Sequence, residues 1–191
     1  MVVGTSDKRE RLVEAAAGLV HRRGFHRTSL AEIAAEAGVP LGNVYYYFRT
    51  KSALGEALLA RYSDGQAALR AAWDAEFDPH GRLEAFIDMA LRDREVLTLW
   101  GCPLGGLAAE LGRESGKGSG ELQASVGVLL REWSTWLADT IRALGHGADA
   151  TGLALHLLAA QQGASLLAHA FGEADAIVGE AEILRRWVRS L

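Results

Sequence analysis

The sequence predicts an all-α protein with a small N-terminal head of three helices on a larger helical body. Only three prolines occur among 191 residues. Alanine and leucine dominate, and runs of β-branched residues are absent, so helix is favoured along nearly the whole chain. Apolar residues recur at helical spacing. A hydrophobic content of 49% allows a substantial core.

The head is predicted as three helices joined by tight corners. The first spans about residues 7–23, and the second spans 29–37 and ends at Gly38, which tolerates a positive φ. Pro40 pre-sets the first turn of the third helix, Leu41–Tyr47, which we call the reader helix. The second and third helices are too short to fold alone. Their pairing is typical of a helix-turn-helix presented by a larger body.

The body is predicted as a set of longer helices separated by glycine-containing breaks. Thr50 caps a long connecting helix that continues until the break at residues 78–81. The glycine-rich stretch 113–120 is predicted to be a mobile loop. The remaining predicted helices are 82–100, a short helix ending at 112, 121–144, 151–171 and 177–191.

Charge is distributed unevenly between the two parts. The net charge of the chain is -4, but residues 1–51 carry +3 and the remainder carries -7. A basic head on an acidic body is the footprint expected when only the head meets phosphate groups.

Several other classes of protein fit the sequence poorly. No apolar stretch reaches the ~18 residues of a membrane span, and the N-terminus lacks the apolar core of a signal peptide. We therefore expect no membrane contact and a cytoplasmic, nucleoid-associated location. The single cysteine excludes an intramolecular disulfide and a cysteine-based metal cluster. His156 and His169 lack a second ligand at suitable spacing, so no metal is expected, and no cofactor or catalytic residue is predicted.

Three stretches of the head share the spacing of a known family. These are residues 28–34, 37–39 and 42–48, followed by Lys51, and they agree in period, in two glycines and in an aromatic cluster. Residues 8–54 therefore resemble the N-terminal domain of TetR-type transcriptional regulators.

The body also resembles these regulators. The sequence Gly-Cys-Pro-Leu-Gly at 101–105, followed by residues 107–111, looks like an element of one subgroup that includes repressors of efflux and detoxification genes. The resemblance implies a helix-turn-helix DNA-binding domain at 1–51. It also implies a ligand-binding and dimerisation domain at 52–191, whose last two long helices pair with their copies.

The outward face of the reader helix holds candidate contacts to bases. Asn43 is the best candidate for hydrogen bonding to a base edge, Leu41 for an apolar contact in the groove and Gly42 for close backbone approach. Tyr45 and Tyr46 project away from the core face, where phenols can stack on sugars, donate to phosphates or touch thymine methyl groups.

Phosphate contacts are expected at the ends of the motif. Thr28 and Ser29 stand at a helix start, where capping and phosphate binding are compatible because the free amides of that turn attract anions. Lys51 is placed for a phosphate in the first turn of the connecting helix, or is a solvated lysine. Pro40 stands where the resembling family usually places a serine that makes a minor phosphate contact, and it is included among the candidate contacts on that resemblance. Tyr47, in contrast, is interpreted as a core aromatic.

A ligand pocket and a dimer interface are predicted in the body. Aromatic residues with a few polar side chains could line a mostly apolar pocket for a small-molecule inducer, although each alone is commonly ordinary core. The predicted pocket consists of Phe86, Met89, Trp100, Cys102, Leu104, Trp133, Trp136, His156 and Gln161. Segment 151–171 is almost wholly apolar and small, so it needs a partner surface. The predicted interface consists of Leu155, Ala159, Gly163, Leu166, Leu184 and Trp187.

Cys102 has two interpretations. If Pro103 is the first helical residue, Cys102 is the N-cap, where the helix dipole favours thiolate chemistry and an electrophile or oxidant sensor. Cysteine is also a common small buried residue, and the chain holds no resolving partner, so a structural or pocket-lining role is the alternative.

Together these features predict a homodimeric repressor that binds palindromic double-stranded operator DNA and leaves it when an apolar small molecule occupies the body. Two reader helices would then stand about one helical turn, ~34 Å, apart. An enzyme with Cys102 as nucleophile is one alternative, but no His-Asp or His-Asn pair can be assigned to it. An interaction module whose head binds protein is another, and the +3 head argues against it.

Overall fold

The computed structural model describes residues 5–113 and 119–191, and these ranges contain helices joined by short turns. The predicted all-α class is confirmed. The predicted loop at 113–120 falls largely outside the described residues, and helix has begun by Ser119. The helices are α1 Thr5–Arg23, α2 Leu30–Glu36, α3 Leu41–Tyr47, α4 Lys51–Glu76, α5 Pro79–Arg92, α6 Arg94–Trp100, α7 Pro103–Leu111, α8 Ser119–Ala143, α9 Ala150–Phe171 and α10 Asp175–Val188.

The chain folds into two compact units. The first unit comprises residues 1–65 and 106–127, and the second comprises 66–105 and 128–191. Helices α4, α7 and α8 each contribute residues to both. The first unit therefore contains the head together with parts of three later helices.

The first unit is built around a core shared by α1 to α4. Leu12, Ile33 and Val44 bring α1, α2 and α3 together, and all three are fully buried. Leu54 of α4 completes this core, so the packing of the head extends beyond residue 51. Gly38 adopts a positive φ of 61° at the corner between α2 and α3, as its position predicts.

The second unit is built around aromatic and leucine side chains from α4, α5, α8, α9 and α10. Trp133 lies 5.8 Å from Trp73 and 5.2 Å from Phe86, measured between ring centroids. The guanidinium of Arg70 stands 5.2 Å above the ring of Trp133 and pairs with Glu132 at 3.1 Å. Offset and tilted aromatic pairs of this kind stabilise a core beyond the area they bury.

The helix predicted at 82–100 is wrong in both its start and its continuity. The helix begins at Pro79, because the side chain of Asp78 accepts a hydrogen bond from the amide of Gly81 at 2.8 Å. It ends at Arg92, and Asp93 separates α5 from α6. There the side chain of Arg94 donates to the Leu91 carbonyl at 3.0 Å, which occupies an acceptor near the end of α5.

None of the described helices is both long and apolar enough to cross a lipid bilayer. Across residues 5–113 and 119–191, no group of three or more His, Cys, Asp or Glu side chains is arranged to hold a metal ion.

Candidate nucleic-acid interface

The reader helix α3 has one buried face and one exposed face. Val44 is fully buried and Phe48 almost so, and both pack into the head core. Tyr46 is 77% exposed, Tyr45 is 54% exposed and Leu41 is 43% exposed. Because these apolar and aromatic side chains are grouped on one face, and exposed apolar patches mark interaction sites, the outer face of α3 is suited to contact another molecule.

The three consecutive tyrosines divide as their helical positions predict. Tyr47 is half-buried and packs against the head core, which confirms its interpretation as a core aromatic. Its ring meets that of Tyr46 edge-on, with centroids 5.0 Å apart and an interplanar angle of 88°. This contact fixes Tyr46 from one side and leaves the phenol accessible.

The start of α3 is exposed and carries little polar side-chain chemistry. Pro40 occupies the N-cap position, one residue before the first helical turn, and makes no side-chain hydrogen bond to it. Pro40 and Gly42 are exposed, whereas Asn43 is half-buried with its backbone amide donating to the Pro40 carbonyl at 2.8 Å. A contact from Pro40 itself can only be apolar or through its carbonyl.

Thr28 is buried just before α2. It is only 1% exposed, and its hydroxyl donates to the Gly24 carbonyl at 2.8 Å. The phosphate contact at Thr28 stays a prediction, one that its hydroxyl does not support. Ser29 is the exposed N-cap of α2: its Oγ accepts from the Glu32 amide at 3.2 Å, and the Glu32 carboxylate accepts from the Ser29 amide at 2.8 Å. This reciprocal capping box satisfies two helix-end amides.

The capping box also changes the acidity of Glu32. The Ser29 backbone amide and then the Ser29 hydroxyl hydrogen-bond to its carboxylate and hold the Glu32 pKa below its usual range, with a smaller contribution from Arg23. Arg23 pairs with Glu32 at 3.1 Å, and Arg22 pairs with Glu36 at 3.0 Å. Part of the positive charge of the head is therefore balanced within the head.

Lys51 lies at the start of α4, next to the corner between α1 and α2. Its Nζ donates to the His26 carbonyl at 3.0 Å and stands 4.8 Å from the centroid of the Phe25 ring. These contacts hold a cation beside the start of α2.

Sequence reasoning missed one residue that contacts the same corner. The carboxylate of Glu110, on α7, accepts hydrogen bonds from the backbone amides of Phe25 at 2.7 Å and His26 at 2.8 Å. Because 84 and 85 residues separate the partners, no local pattern in the sequence indicates the contact.

The predicted pocket residues of the second unit are only partly brought together. Phe86 and Trp133 are buried in the unit's core, and Gln161 donates from its side-chain amide to the Phe86 carbonyl at 2.9 Å. The indole N–H of Trp136 donates to Asp74 at 3.1 Å, and Met89 packs against the same core.

The remaining predicted pocket residues are not members of that core and differ in their exposure. Trp100, at the end of α6, is exposed, and Leu104 is buried. His156 is exposed on α9 and meets the ring of Trp187 edge-on, with centroids 5.3 Å apart. Cys102 is half-buried.

Cys102 occupies the helix-capping position that the sequence predicts. Pro103 is the first residue of α7, and the amide of Gly105 donates to the Sγ of Cys102 at 3.5 Å. A Cβ on Gly105 would lie 3.3 Å from Oε1 of Gln162, so the thiol and this amide side chain flank the same backbone position.

An exposed apolar face runs along α9 and α10 of the second unit. Leu155, Ala159 and Leu166 of the predicted interface are exposed, and a Cβ on Gly163 would meet no atom within 4 Å. Trp187 is half-buried and contacts His156.

Leu184, which the sequence assigns to this interface, does not lie on the exposed face. It is 3% exposed because it packs inside the core of the second unit, whereas Ile183 beside it is 51% exposed. The exposed face of α10 is therefore displaced by one residue from the predicted one.

Comparison with known proteins finds a family match for the head and structural matches for the fold. The sequence model described as "Bacterial regulatory proteins, tetR family" matches residues 12–58. The chain is 33% identical over 130 residues to transcriptional regulator AcuR of Cereibacter sphaeroides, covering 66% of this chain and 58% of AcuR. The match thus spans little more than half of that relative.

Solved structures match nearly the whole chain. A TetR transcriptional regulator from Legionella pneumophila superposes with a TM-score of 0.84 at 19% identity, covering 97% of this chain and 98% of that one. Regulatory protein TetR from Rhodobacter sphaeroides superposes with a TM-score of 0.79 at 26% identity, covering 93% and 96%. The helical fold of this chain is therefore similar to theirs.

Proposed function

We propose that the chain is a member of the TetR family of bacterial regulatory proteins, whose sequence model matches residues 12–58, and that it is a homodimeric repressor released from its operator by a small molecule. The family is not enzymatic. We assign DNA binding to residues 1–51 and ligand binding with dimerisation to residues 52–191. Residues 101–105 favour the subgroup that regulates efflux and detoxification genes.

The observation that carries the proposal is the exposed outer face of α3. Leu41, Tyr45 and Tyr46 stand on a short helix whose opposite face is locked into the head core by Val44 and Phe48. A rigid helix with such a face can enter the major groove and present side chains to base edges. Lys51 and Ser29 lie near the ends of the motif, where phosphates pass.

Homodimer formation is supported by the exposed apolar face of α9 and α10. Leu155, Ala159 and Leu166 share one side of α9, and Ile183 continues the apolar surface on α10. A two-fold pairing of these helices would cover both copies of the face. It would also set two reader helices apart at a fixed spacing, which is what a palindromic operator requires.

Release by an inducer follows from that spacing. A mostly apolar molecule bound among the predicted pocket residues of the body would favour a helix arrangement in which the reader helices no longer match successive groove faces. It can shift the equilibrium only by its difference in affinity for the two arrangements. Because its target is chromosomal DNA, we assign the protein to the cytoplasm.

The proposal can be tested with the purified full chain. Selection from a pool of random duplexes should enrich a palindromic sequence, and sedimentation should give two chains per duplex. Addition of apolar compounds in a thermal-shift screen should identify molecules that stabilise the protein and also release the selected duplex. Failure to enrich any sequence would contradict the proposal.

A further inference from the structure

We propose that Glu110 is a positioning residue for DNA binding: from α7 it clamps the corner between α1 and α2, and thereby couples the conformation of α7 to operator affinity. The inference rests on the proposed function. It adds that the predicted pocket residues at the start of α7 are coupled to operator binding through Glu110, near the end of the same helix.

The clamp consists of two short hydrogen bonds. Oε2 of Glu110 accepts from the amide of Phe25 at 2.7 Å, and Oε1 accepts from the amide of His26 at 2.8 Å. Hydrogen bonds to an ionised carboxylate are shorter and stronger than neutral ones. The corner residues 24–29 therefore depend on a side chain far away in the sequence for part of their backbone hydrogen bonding.

Gly24 is what allows the carboxylate to approach. It ends α1 with a φ of +87°, and a Cβ there would lie 2.9 Å from Oε2 and 3.0 Å from Oε1 of Glu110. A side chain at this position would be strained by the backbone and would also collide with the clamp. The corner is thus shaped to receive a carboxylate.

The same corner is also held by Lys51, a predicted phosphate contact. The carbonyl of His26 accepts from Nζ of Lys51 at 3.0 Å, and the ring of Phe25 lies under that ammonium group. The corner leads through Thr28 into the Ser29 capping box that starts α2. A change in the corner therefore alters both the entry of α2 and the position of Lys51.

Helix α7 has the right placement to carry a signal to this corner. It begins at Pro103, beside Cys102 and Leu104, which are predicted to line the inducer pocket. Glu110 lies about two helical turns further along the same helix. Residues 103–105 belong to the second unit and 106–111 to the first, so α7 passes from one unit into the other.

Thermodynamic linkage requires that the coupling between α7 and operator binding be reciprocal. If a shift of α7 weakens operator binding through Glu110, then operator binding must restrain α7 by the same free energy. This restraint can be observed without knowing the inducer.

The test uses the full chain, its selected palindromic duplex and hydrogen exchange followed by mass spectrometry. In the wild type, the duplex should slow amide exchange in residues 41–47 and also in residues 104–111. Glu110→Gln places an amide N–H against a backbone donor, so it should weaken duplex affinity about 5- to 20-fold. It should also abolish the protection of 104–111 while that of 41–47 remains.

The matched control is Glu121→Gln, which makes the same charge change at an exposed position of α8 in the same unit. It should keep wild-type affinity and both protected segments. The clamp is overturned if the wild-type duplex protects 41–47 but not 104–111, a measurement that needs no variant, or if Glu110→Gln behaves like the control. Absence of protection at 41–47 in the wild type would instead refute the proposed function, and the clamp with it.

Discussion

Exposure along α3 separates the side chains that can reach a groove from those that hold the helix in place. Val44 and Phe48 anchor it, while Tyr45 and Tyr46 extend outward. Asn43 stands between these groups, half-buried in the first turn. Its amide can pair with an adenine edge through one donor and one acceptor, which none of its neighbours on α3 offers.

We expect Asn43→Ala to relax base preference at one position in each half-site. The loss of a bidentate hydrogen-bonded pair should cost about 1–3 kcal/mol on the preferred sequence and little on others. Competition binding with duplexes substituted at single positions measures this directly. An unchanged preference would remove Asn43 from the base-reading set.

Lys51→Ala should behave differently. Its ammonium is expected to meet phosphate, which carries no sequence information, so all duplexes should bind more weakly by a similar factor. The slope of log K against log salt should fall by about 1 for each phosphate that the variant no longer neutralises. Part of the weakening would come from the corner that Lys51 also holds, so Lys51→Arg serves as a comparison that retains the charge.

Acidification should weaken the start of α2. The Glu32 pKa is lowered in the folded state, so its stabilising contribution is complete above the pKa of the unfolded chain and is lost as pH falls through the folded pKa. Urea unfolding of Glu32→Gln and the wild type should therefore differ most near neutral pH and converge as the pH falls below the folded-state pKa of Glu32. Ser29→Ala, which removes the hydroxyl partner, should reduce this difference. A gap that widens in acid would contradict the mechanism.

The two neighbouring hydroxyl residues show how far single positions can be predicted. The sequence identifies a helix start at Thr28 and Ser29, and Ser29 does cap α2. That Thr28 is buried follows from the α1–α2 corner folding back, which brings the Gly24 carbonyl to its hydroxyl. This is a tertiary effect that local pattern cannot supply.

At the scale of helices, the apolar composition of α9 is not explained by packing within a single chain. Its buried face packs Ala154, Leu157 and Ala168 inside the second unit, yet Leu155 and Leu166 on another face remain exposed. Two apolar faces on one helix are expected when the second is covered by another copy.

We expect Gly163→Glu to give a folded monomer that no longer binds the palindrome. A Cβ at Gly163 meets no atom within 4 Å, so the protomer can accommodate the side chain. Covering a carboxylate without a partner in the interface should weaken self-association about 100-fold or more. Sedimentation and duplex binding measure the two effects.

Gly65→Glu is the matched control, since a Cβ at Gly65 of α4 also meets open space. It should remain dimeric. A dimeric Gly163→Glu protein, or a monomeric wild type, would contradict the assignment of the interface to α9.

Helix boundaries were predictable where glycine or a capping residue marks the end of a helix, and they were missed where no such residue is present. Gly38 and Thr50 mark observed ends, and the amide of Ala53 donates to the Thr50 hydroxyl at 3.0 Å. The break at Asp93 has neither glycine nor proline, so the helical spacing of apolar residues predicted one continuous helix across it. The burial of Leu184 could not be predicted for a related reason, because a wide apolar stripe does not specify which of its edges faces the core.

For the molecule as a whole, the charge asymmetry predicts strong salt dependence of DNA binding. The head carries +3 and the remainder -7, so attraction to DNA is confined to the head while the remainder repels it. If a dimer contacts about 6–10 phosphates, affinity should fall by about 10³–10⁵ between 50 and 200 mM salt. A shallow dependence would indicate a partner other than nucleic acid.

Cys102→Ser distinguishes the two roles predicted for the thiol. Serine can also accept from the Gly105 amide, so folding and operator binding should be retained in either case. A thiol-reactive electrophile should release only the wild type if Cys102 is a sensor. We expect a noncovalent inducer to release both proteins and the electrophile to act equally on both, as a structural or pocket-lining thiol requires.

The composition of the first unit matters for exchanging heads between regulators. A chimaera joined at residue 51 would leave behind Leu54, which belongs to the head core. It would also lose Gly55, where a Cβ would lie 3.0 Å from the ring of Phe25 and 3.1 Å from Leu122. The head therefore does not form an independent unit that can be joined at residue 51. A chimaera must include the chain up to residue 65, and the α7 of its host must supply an acceptor for the backbone amides of Phe25 and His26.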